Sequence, residues 1–387
     1  MRITQLFKEF FESEKAGGIA LIGCTIVSLG LANSPFAESY HHFWHSLLGG
    51  RPIEFWVNDG LMTVFFLLIG LEIEREVYIG ELSTRKNALL PFLAALGGVM
   101  VPAMIHWGFN HGTPFQSGIG IPMATDIAFA LGILSILGNR VPNSLKIFLT
   151  ALAIMDDLMA IIVIAIFYST GFSWFYFALA MLIFAVLLAM NRFKVRALWL
   201  YILLGIFMWY CMLYSGIHAT ITGILLAFAI PFGNGQKESI SYRLQHFLHQ
   251  PVAFFILPVF ALANTGIAIP ASWSEELFSS NSLGILLGLV LGKPVGIFLF
   301  SWAAVAAGFC TLPADMRKKH LLGIGVLAGI GFTMSIFITL LAFESPETVI
   351  NSKIAVFLAS LIAGVVGYTM LKITLPEKLR KEAEEEA

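Results

Sequence analysis

The sequence predicts an all-α polytopic membrane protein with twelve transmembrane helices. Three observations carry that prediction. Of 387 residues, 58% are hydrophobic and only 12% are charged, where a soluble protein carries about 25% charged residues. Separate apolar runs each supply the roughly 20 residues needed to cross a bilayer. Lysine and arginine collect in alternate loops, as topology requires. The formal net charge of −1 gives nucleic-acid binding no support. The three cysteines, Cys24, Cys211 and Cys310, lie far apart without metal spacing and read as small apolar fillers. There is no CxxC, no P-loop and no dinucleotide fingerprint.

The elements follow in order. Residues 1–15, "MRITQLFKEFFESEK", put Ile3, Leu6, Phe7, Phe10 and Phe11 on one face. Glu9, Glu12 and Glu14 argue against a cleaved signal peptide. The segment reads as an amphipathic helix on the membrane surface. Spans 1 and 2 are expected at 16–33 and 57–75. Between them, "FWHSLLGGRPIEFWVND" holds Gly49-Gly50 between short apolar stretches. It reads either as a β-hairpin able to join two subunits or as a plain loop, Pro52 and the short arms weakening the first. Spans 3, 4 and 5 fall at 88–107, 119–137 and 145–168, and spans 6, 7 and 8 at 174–190, 197–214 and 216–232. Only "YSG" separates spans 7 and 8, so a tight helical hairpin is expected there. Spans 9 to 12 fall at 251–269, 283–303, 321–342 and 354–373.

A cytoplasmic N-terminus places the basic residues consistently. Arg2, Lys8, Lys15, Arg75, Arg85, Lys86, Arg140, Lys146, Arg192, Lys194, Arg196, Lys237 and Arg243 are then inside. So are Arg317, Lys318, Lys319, Lys372, Lys378, Arg380 and Lys381. Only Arg51 and Lys353 fall outside. The alternation supports twelve spans with both termini in the cytoplasm.

One lysine is left over, and Lys293 lies in the middle of span 10. Three acids share its predicament: Asp126 in span 4, and Asp156 and Asp157 side by side in "ALAIMDDLMAIIVIAIF" of span 5. A charge at the bilayer centre costs about 2.5–3.5 kcal/mol on insertion scales. Four of them must converge, pair or line a wet cavity. A purely structural ion pair fails on arithmetic, because three acids face one base. The excess needs a mobile cation or a proton. Adjacent carboxylates resist joint ionisation and titrate as a coupled set. Oxygen ligands also suit hard cations. A group that holds either protons or a small cation is the minimal part of a cation/proton exchanger.

Two spans carry helix-breaking residues. Span 4, "GIGIPMATDIAFALGIL", contains Gly118, Gly120 and Pro122 ahead of Thr125 and Asp126, and proline removes a backbone donor. Span 11, "LLGIGVLAGIGFTMSIFITLL", contains Gly323, Gly325, Gly329 and Gly331. Thr333 and Ser335 can bond carbonyls freed there. Glycines in membrane helices also serve close packing, which is the plainer reading of any one of them. Yet span 4 is second in the trio 3–5 and span 11 second in the trio 10–12. Interruptions at matching places point to an inverted-topology repeat with a midplane site. Asp126 would offset positive helix N-termini there and Lys293 negative C-termini.

The stretches "IPMATDIAFALGIL", "LKIFLTALAIMDDLMAIIVIAIFY", "SGIHATITG", "FALANTGI", "LGKPVGI" and "GIGFTMSIFI" resemble those of the NhaA-type Na⁺/H⁺ antiporters of bacterial inner membranes. The likeness runs from about residue 10 to residue 373. That family is itself a standard example of inverted repeats with broken helices, so this part of the fold rests on the resemblance. It implies a core bundle of spans 3–5 and 10–12, a second bundle of spans 1, 2 and 6–9, and a short tail at 374–387. It implies a transporter rather than an enzyme, with no cofactor. Cytoplasmic Na⁺ or Li⁺ would leave as external protons enter. More protons would enter than sodium ions leave, so the exchange is electrogenic. The partners implied are Na⁺, Li⁺, H⁺, the bilayer and a second copy in a homodimer.

The resemblance also assigns residues. Asp157 matches the principal cation-binding carboxylate, and Asp156 matches the neighbour that pairs with Lys293. Thr125 and Asp126 match the crossing of the interrupted helices. Glu72 and Glu76, four residues apart, and Arg243, His246 and His249 in "SYRLQHFLHQP" match a cytoplasmic pH-sensing cluster. An ordinary solvated helix end is the plainer reading of that cluster. Gln245 stands where an acid is common and Glu74 where a lysine is common, which puts the pH set-point in doubt. His218, opening span 8, and Asp59, opening span 2, either tune the pH response or are structural.

Two rivals are weaker. An organic-acid symporter would need paired Na⁺ sites and a substrate cavity. An intramembrane aspartyl protease would need its two aspartates on separate helices, one in a GxGD setting, and no GxGD occurs.

Overall fold

The computed structural model describes residues 5–375 except 170, 271, 272 and 314; of residues 5–15, 81, 85–87 and 139 it describes the backbone alone. The side chains of the expected surface segment 1–15, and all but the first residues of the tail 374–387, lie outside the described residues.

Helix α1 (Gln5–Ala32) runs through the expected surface segment and span 1 without a break. Helix α2 (Ala37–His45) turns away from it by 114°. Strands β1 (Leu47–Leu48) and β2 (Arg51–Pro52) then pair antiparallel. Of the hairpin and the plain loop, the hairpin forms. Gly49 and Gly50 both have positive φ, at 61° and 81°, which a two-residue turn matched to strand twist requires. Pro52 is tolerated because the ribbon has no central strand to interrupt.

Helix α3 spans Ile53–Tyr78, and α4 spans Arg85–Asn110. A 3₁₀ helix (Gln116–Met123) leads through extended backbone at Ala124 to α5 (Ile127–Ile136). Then come α6 (Asn143–Phe167), α7 (Trp174–Arg192), α8 (Leu198–Ser215) and α9 (Ile221–Ala229). Helices α10 (Ile240–Asn264) and α11 (Ser280–Ala306) follow. The chain ends in α12 (Lys318–Ala328), α13 (Phe332–Ala342), bent 46° from α12, and α14 (Pro346–Thr374).

Among the described residues nine helices are long and apolar enough to cross a membrane, or up to 11 if each bent pair is one span. The expected span 8 accounts for the difference from twelve. Helix α8 ends in left-handed Gly216 (φ 85°), a common C-terminal stop. Residues 218–223 form single turns closed over three residues, leaving α9 nine residues long. At 1.5 Å per residue that is about 14 Å, half the roughly 30 Å hydrocarbon core.

The chain's apolar helices are not equivalent. In an apolar 18-residue stretch of Gln116–Ile136 78% of residues are buried and in one of Asn143–Phe167 72%, against 11% in Trp174–Arg192. The broken span 4 and the aspartate-bearing α6 therefore form the centre, and α7 faces outward. Helices α4 and α11 cross in close contact at Gly97 and Gly296, where a Cβ on either would collide with the other's carbonyl. That approach brings Lys293 to the centre.

Candidate functional site

Two chain breaks meet at the centre of the bundle. The first lies at Ala124–Asp126, between the 3₁₀ helix and α5. The second lies at Gly329–Gly331, between α12 and α13. They bond to each other. Asp126 N–H donates to Ile330 O at 2.7 Å. Thr125 Oγ1 donates to Ala328 O at 2.9 Å, and Ser335 Oγ donates to Ile121 O at 2.7 Å. Each break frees backbone groups, and in hydrocarbon these must be satisfied within the protein.

Asp126 stands at two helix N-termini at once. Its Oδ1 accepts from Phe129 N–H at 2.9 Å as the N-cap of α5. Its Oδ2 accepts from the N–H and the hydroxyl of Thr333, in the first turn of α13. Helix N-termini carry about half a positive charge each, so this buried carboxylate is compensated without a basic residue. Thr333, expected to bond a freed carbonyl, instead donates to Asp126. The sequence signal available was a hydroxyl two residues after the last glycine of the break.

Lys293 and Asp156 form a closed pair, both completely buried. Lys293 Nζ lies 2.9 Å from Asp156 Oδ2 and also donates to Met123 O, the last carbonyl of the 3₁₀ helix. Thr125 Oγ1 lies 2.6 Å from the same Asp156 oxygen. Just before Lys293, residues Gly288–Gly292 widen into a π-helical turn. A second π turn at Val252–Ile256 likewise ends two residues before a proline, Pro258. Pro294 and Pro258 each lack the N–H that would close the normal turn. Such turns accompany functional positions in helices, and Lys293-Pro294 was the readable sign of this one.

Asp157 differs from its neighbour. It is 0% exposed, and neither carboxylate oxygen has a hydrogen-bond partner. Asp156, Lys293 and Asp126 all act on it through their charges. The structure thus brings Thr125, Asp126, Asp156, Asp157 and Lys293 together. Among the described residues, no group of three or more His, Cys, Asp or Glu could hold a metal ion. Val99, Ala103 and Met123 form an apolar cluster with Ile119, Met159 and Val163. It closes the space between α4, the 3₁₀ helix and α6.

The family described as Na⁺/H⁺ antiporter 1 matches residues 8–371. The chain belongs to this Na⁺/H⁺ antiporter family. A Na⁺/H⁺ antiporter NhaA of Cytophaga hutchinsonii is 61% identical over 386 residues, covering 100% of both chains. One from Flavobacterium psychrophilum is 61% identical over 97% of this chain and 98% of its own. One from Dechloromonas aromatica is 58% identical over 96% of each. As a member of the antiporter family the chain is a multi-pass membrane protein and a transporter, not an enzyme.

The second group of expected residues is only partly assembled. Glu72 Oε1 and His249 Nε2 lie 3.6 Å apart, both buried, where α3 packs against α10. His246, exposed and stacked on Tyr242, acts on His249 through its charge, as does Arg75. Arg243 is exposed, and Glu76 is half-buried beside Gly80. Glu74 was expected as a departure that alters the set-point, not as a member of the cluster. It is buried and lines a cavity of about 500 Å³ with Asn191 and Asn234. Gln245 is buried as well. His218 lies apart from this cluster. It sits in the turns before α9, whose Gly223 packs on Thr63, so it belongs to the Asp59 end of α3. Asp59 itself lies in a π-helical turn of α3.

Proposed function

We propose that this chain exports cytoplasmic Na⁺ or Li⁺ in exchange for external H⁺, by competition between cation and proton at Asp157 and Asp156. One observation supports this reading above the rest. Asp126 is held by two helix N-termini and Asp156 by Lys293 and Thr125, while Asp157 is buried with both oxygens unmatched. A buried carboxylate without a partner must hold a proton or a cation. When Na⁺ reaches the site it takes the place of the proton on Asp157, and the proton leaves.

The electrogenic step needs a second proton. Breaking the Lys293–Asp156 contact frees Asp156 to help hold the cation, and either Asp156 or Lys293 carries that second proton. More protons then enter than Na⁺ ions leave, and the membrane potential drives export. Access alternates by movement of a bundle of spans 3–5 and 10–12 against spans 1, 2 and 6–9. These two trios form an inverted repeat in a twelve-span topology, with α9 completing the short eighth crossing.

The same reading places both termini in the cytoplasm of a bacterial inner-membrane protein. It makes the β-hairpin a contact between two copies. It gives Glu72, Glu76, Arg243, His246 and His249 the role of sensing cytoplasmic pH, with exchange falling at acidic pH and His218 adjusting it. Glu74 and Gln245 change the charge around that sensor and with it the set-point.

The test is collapse of an imposed ΔpH in everted vesicles on adding Na⁺, Li⁺ or K⁺. Na⁺ and Li⁺ should collapse it, and Asp157→Asn should abolish the effect at normal expression. Exchange surviving in Asp157→Asn would overturn the assignment.

A further inference from the structure

The membrane face of the bundle carries a groove of about 420 Å³ between α1, α5 and α14. Its size is that of a small-molecule pocket, roughly 300–1,000 Å³. Ile22 and Ile26 form one wall, Ile133 and Ile136 another, and Leu361 and Val365 a third. Phe129, Phe332 and Phe357 also line it, as does Tyr368, eleven residues beyond Phe357 along α14.

From the geometry we infer that this groove is a binding site for one acyl chain of an anionic phospholipid. Length is the first argument. From Phe357 to Tyr368 along α14 is eleven residues, about 16 Å of helix. One leaflet of a bilayer's hydrocarbon core is about 15 Å thick. The groove is thus as long as a single leaflet and runs parallel to the acyl chains.

Charge at the Tyr368 end is the second argument. Lys372 lies one turn further on, its Nζ 5.6 Å from the Tyr368 ring centre. His320 Nε2 lies 3.2 Å from Thr374 O, which brings exposed Lys318 and Lys319 to the same end of the bundle. Arg140 follows Ile136 by one turn. Among the described residues, Asp315 is the acid near this end. A lipid whose chain lies in the groove therefore has its phosphate among basic side chains. Basic residues at a membrane surface favour anionic over zwitterionic lipid.

The phenylalanine lining explains why such a chain would matter. The Phe129 and Phe332 rings pack with centres 5.0 Å apart. Phe129 N–H donates to the Asp126 cap, and Phe332 immediately precedes Thr333, which holds the other Asp126 oxygen. Ser360 at the groove wall accepts from Phe332 N–H at 3.2 Å. The chain tip therefore rests on the two rings that flank the crossing of the breaks. A lipid could steady or release that crossing from the membrane side.

The experiment is photolabelling of the full-length protein in phosphatidylglycerol or phosphatidylcholine vesicles. Each carries a trace of its own lipid with a diazirine at the acyl terminus, and labelled peptides are mapped by mass spectrometry. Label should concentrate on the peptides of Phe129, Phe332 and Phe357 rather than on α7, whose exposed Leu182 faces the same hydrocarbon. Val365→Trp should remove the groove label and leave the α7 label. Ile26→Trp, from the facing wall, does the same should the first variant fold poorly. Phosphatidylglycerol should label more than phosphatidylcholine, and Lys372→Gln should lower that preference about fivefold, the effect of one basic side chain at a membrane surface. Even labelling of α7 and the groove, or unchanged groove labelling in both tryptophan variants, overturns the site. Equal labelling by the two lipids overturns the anionic head group. Labelling does not depend on ion exchange, so failure of the antiport reading leaves this result intact.

Discussion

Replacing Lys293 with methionine should be the most destabilising conservative change at the centre, and removing its partner as well should reverse much of the damage. In the native protein Lys293 Nζ touches Asp156 Oδ2 at 2.9 Å and donates to Met123 O, with both side chains completely buried. Lys293→Met leaves Asp156 with Thr125 as its remaining side-chain neighbour in hydrogen-bond reach and leaves Met123 O without this donor. Breaking a buried pair by removing one partner costs about 3–5 kcal/mol. Lys293→Met with Asp156→Asn removes the stranded charge, and replacing both partners together is close to neutral by comparison. The coupling in the double-mutant cycle should then be about 0.5–3 kcal/mol, as for groups in direct contact. For 387 residues, an unfolding entropy of about 2.1 cal/mol/K per residue gives about 0.8 kcal/mol/K, so the single variant should melt about 4–6 °C lower. The assay is thermal unfolding in detergent followed with a thiol-reactive fluorophore, since Cys211 and Cys310 are buried and react only on opening. A single variant melting with the native protein would refute the buried-pair reasoning. So would a double variant less stable than either single one.

Other expectations follow from the same contacts. Thr333→Val removes the hydroxyl donor to Asp126 but keeps the backbone one; the loss should be about 1.5–3 kcal/mol, read as a lower melting temperature that Thr333→Ser restores. Gly296→Ala places a methyl against the Gly97 carbonyl; overpacking costs typically about 1–3 kcal/mol or more, so folded yield on size exclusion should fall while Gly23→Ala, with open space at its Cα, leaves it unchanged. His249→Gln breaks the 3.6 Å contact with Glu72 without touching Asp157; on the proposed pH role, the pH profile of exchange should move while its maximal rate stays near native, and an unmoved profile would remove His249 from that role.

The midplane charges were legible because a membrane interior tolerates so few of them. Asp126, Asp156, Asp157 and Lys293 stood out against 58% hydrophobic composition. The breaks were legible for a related reason, since proline and glycine act on the backbone wherever they occur. The shortness of the helix within residues 216–232 was not legible. Residues 216–232 are as apolar as a true span, and only the stop at Gly216 with the turns after it reduces them to the nine residues of α9. Burial was not legible either. Helix α7 reads as apolar as α6, yet one faces outward and the other is central. Lipid and protein interior are equally apolar, so hydropathy does not tell them apart. The contact of Glu72 with His249 joins residues far apart in the chain and left no local sequence signal.

Sequence alone determined that this chain crosses a membrane many times and must gather three acids and one base within its bundle, because unpaired charge in hydrocarbon is too costly to scatter. It also marked where two helices would break. The tertiary structure decided how the charges are shared out. Two helix N-termini converge on Asp126, the Gly97–Gly296 contact brings Lys293 to Asp156, and Asp157 is left unmatched. That allocation depends on which helix ends and side chains come within hydrogen-bond reach across long sequence separations, and no local pattern encodes it.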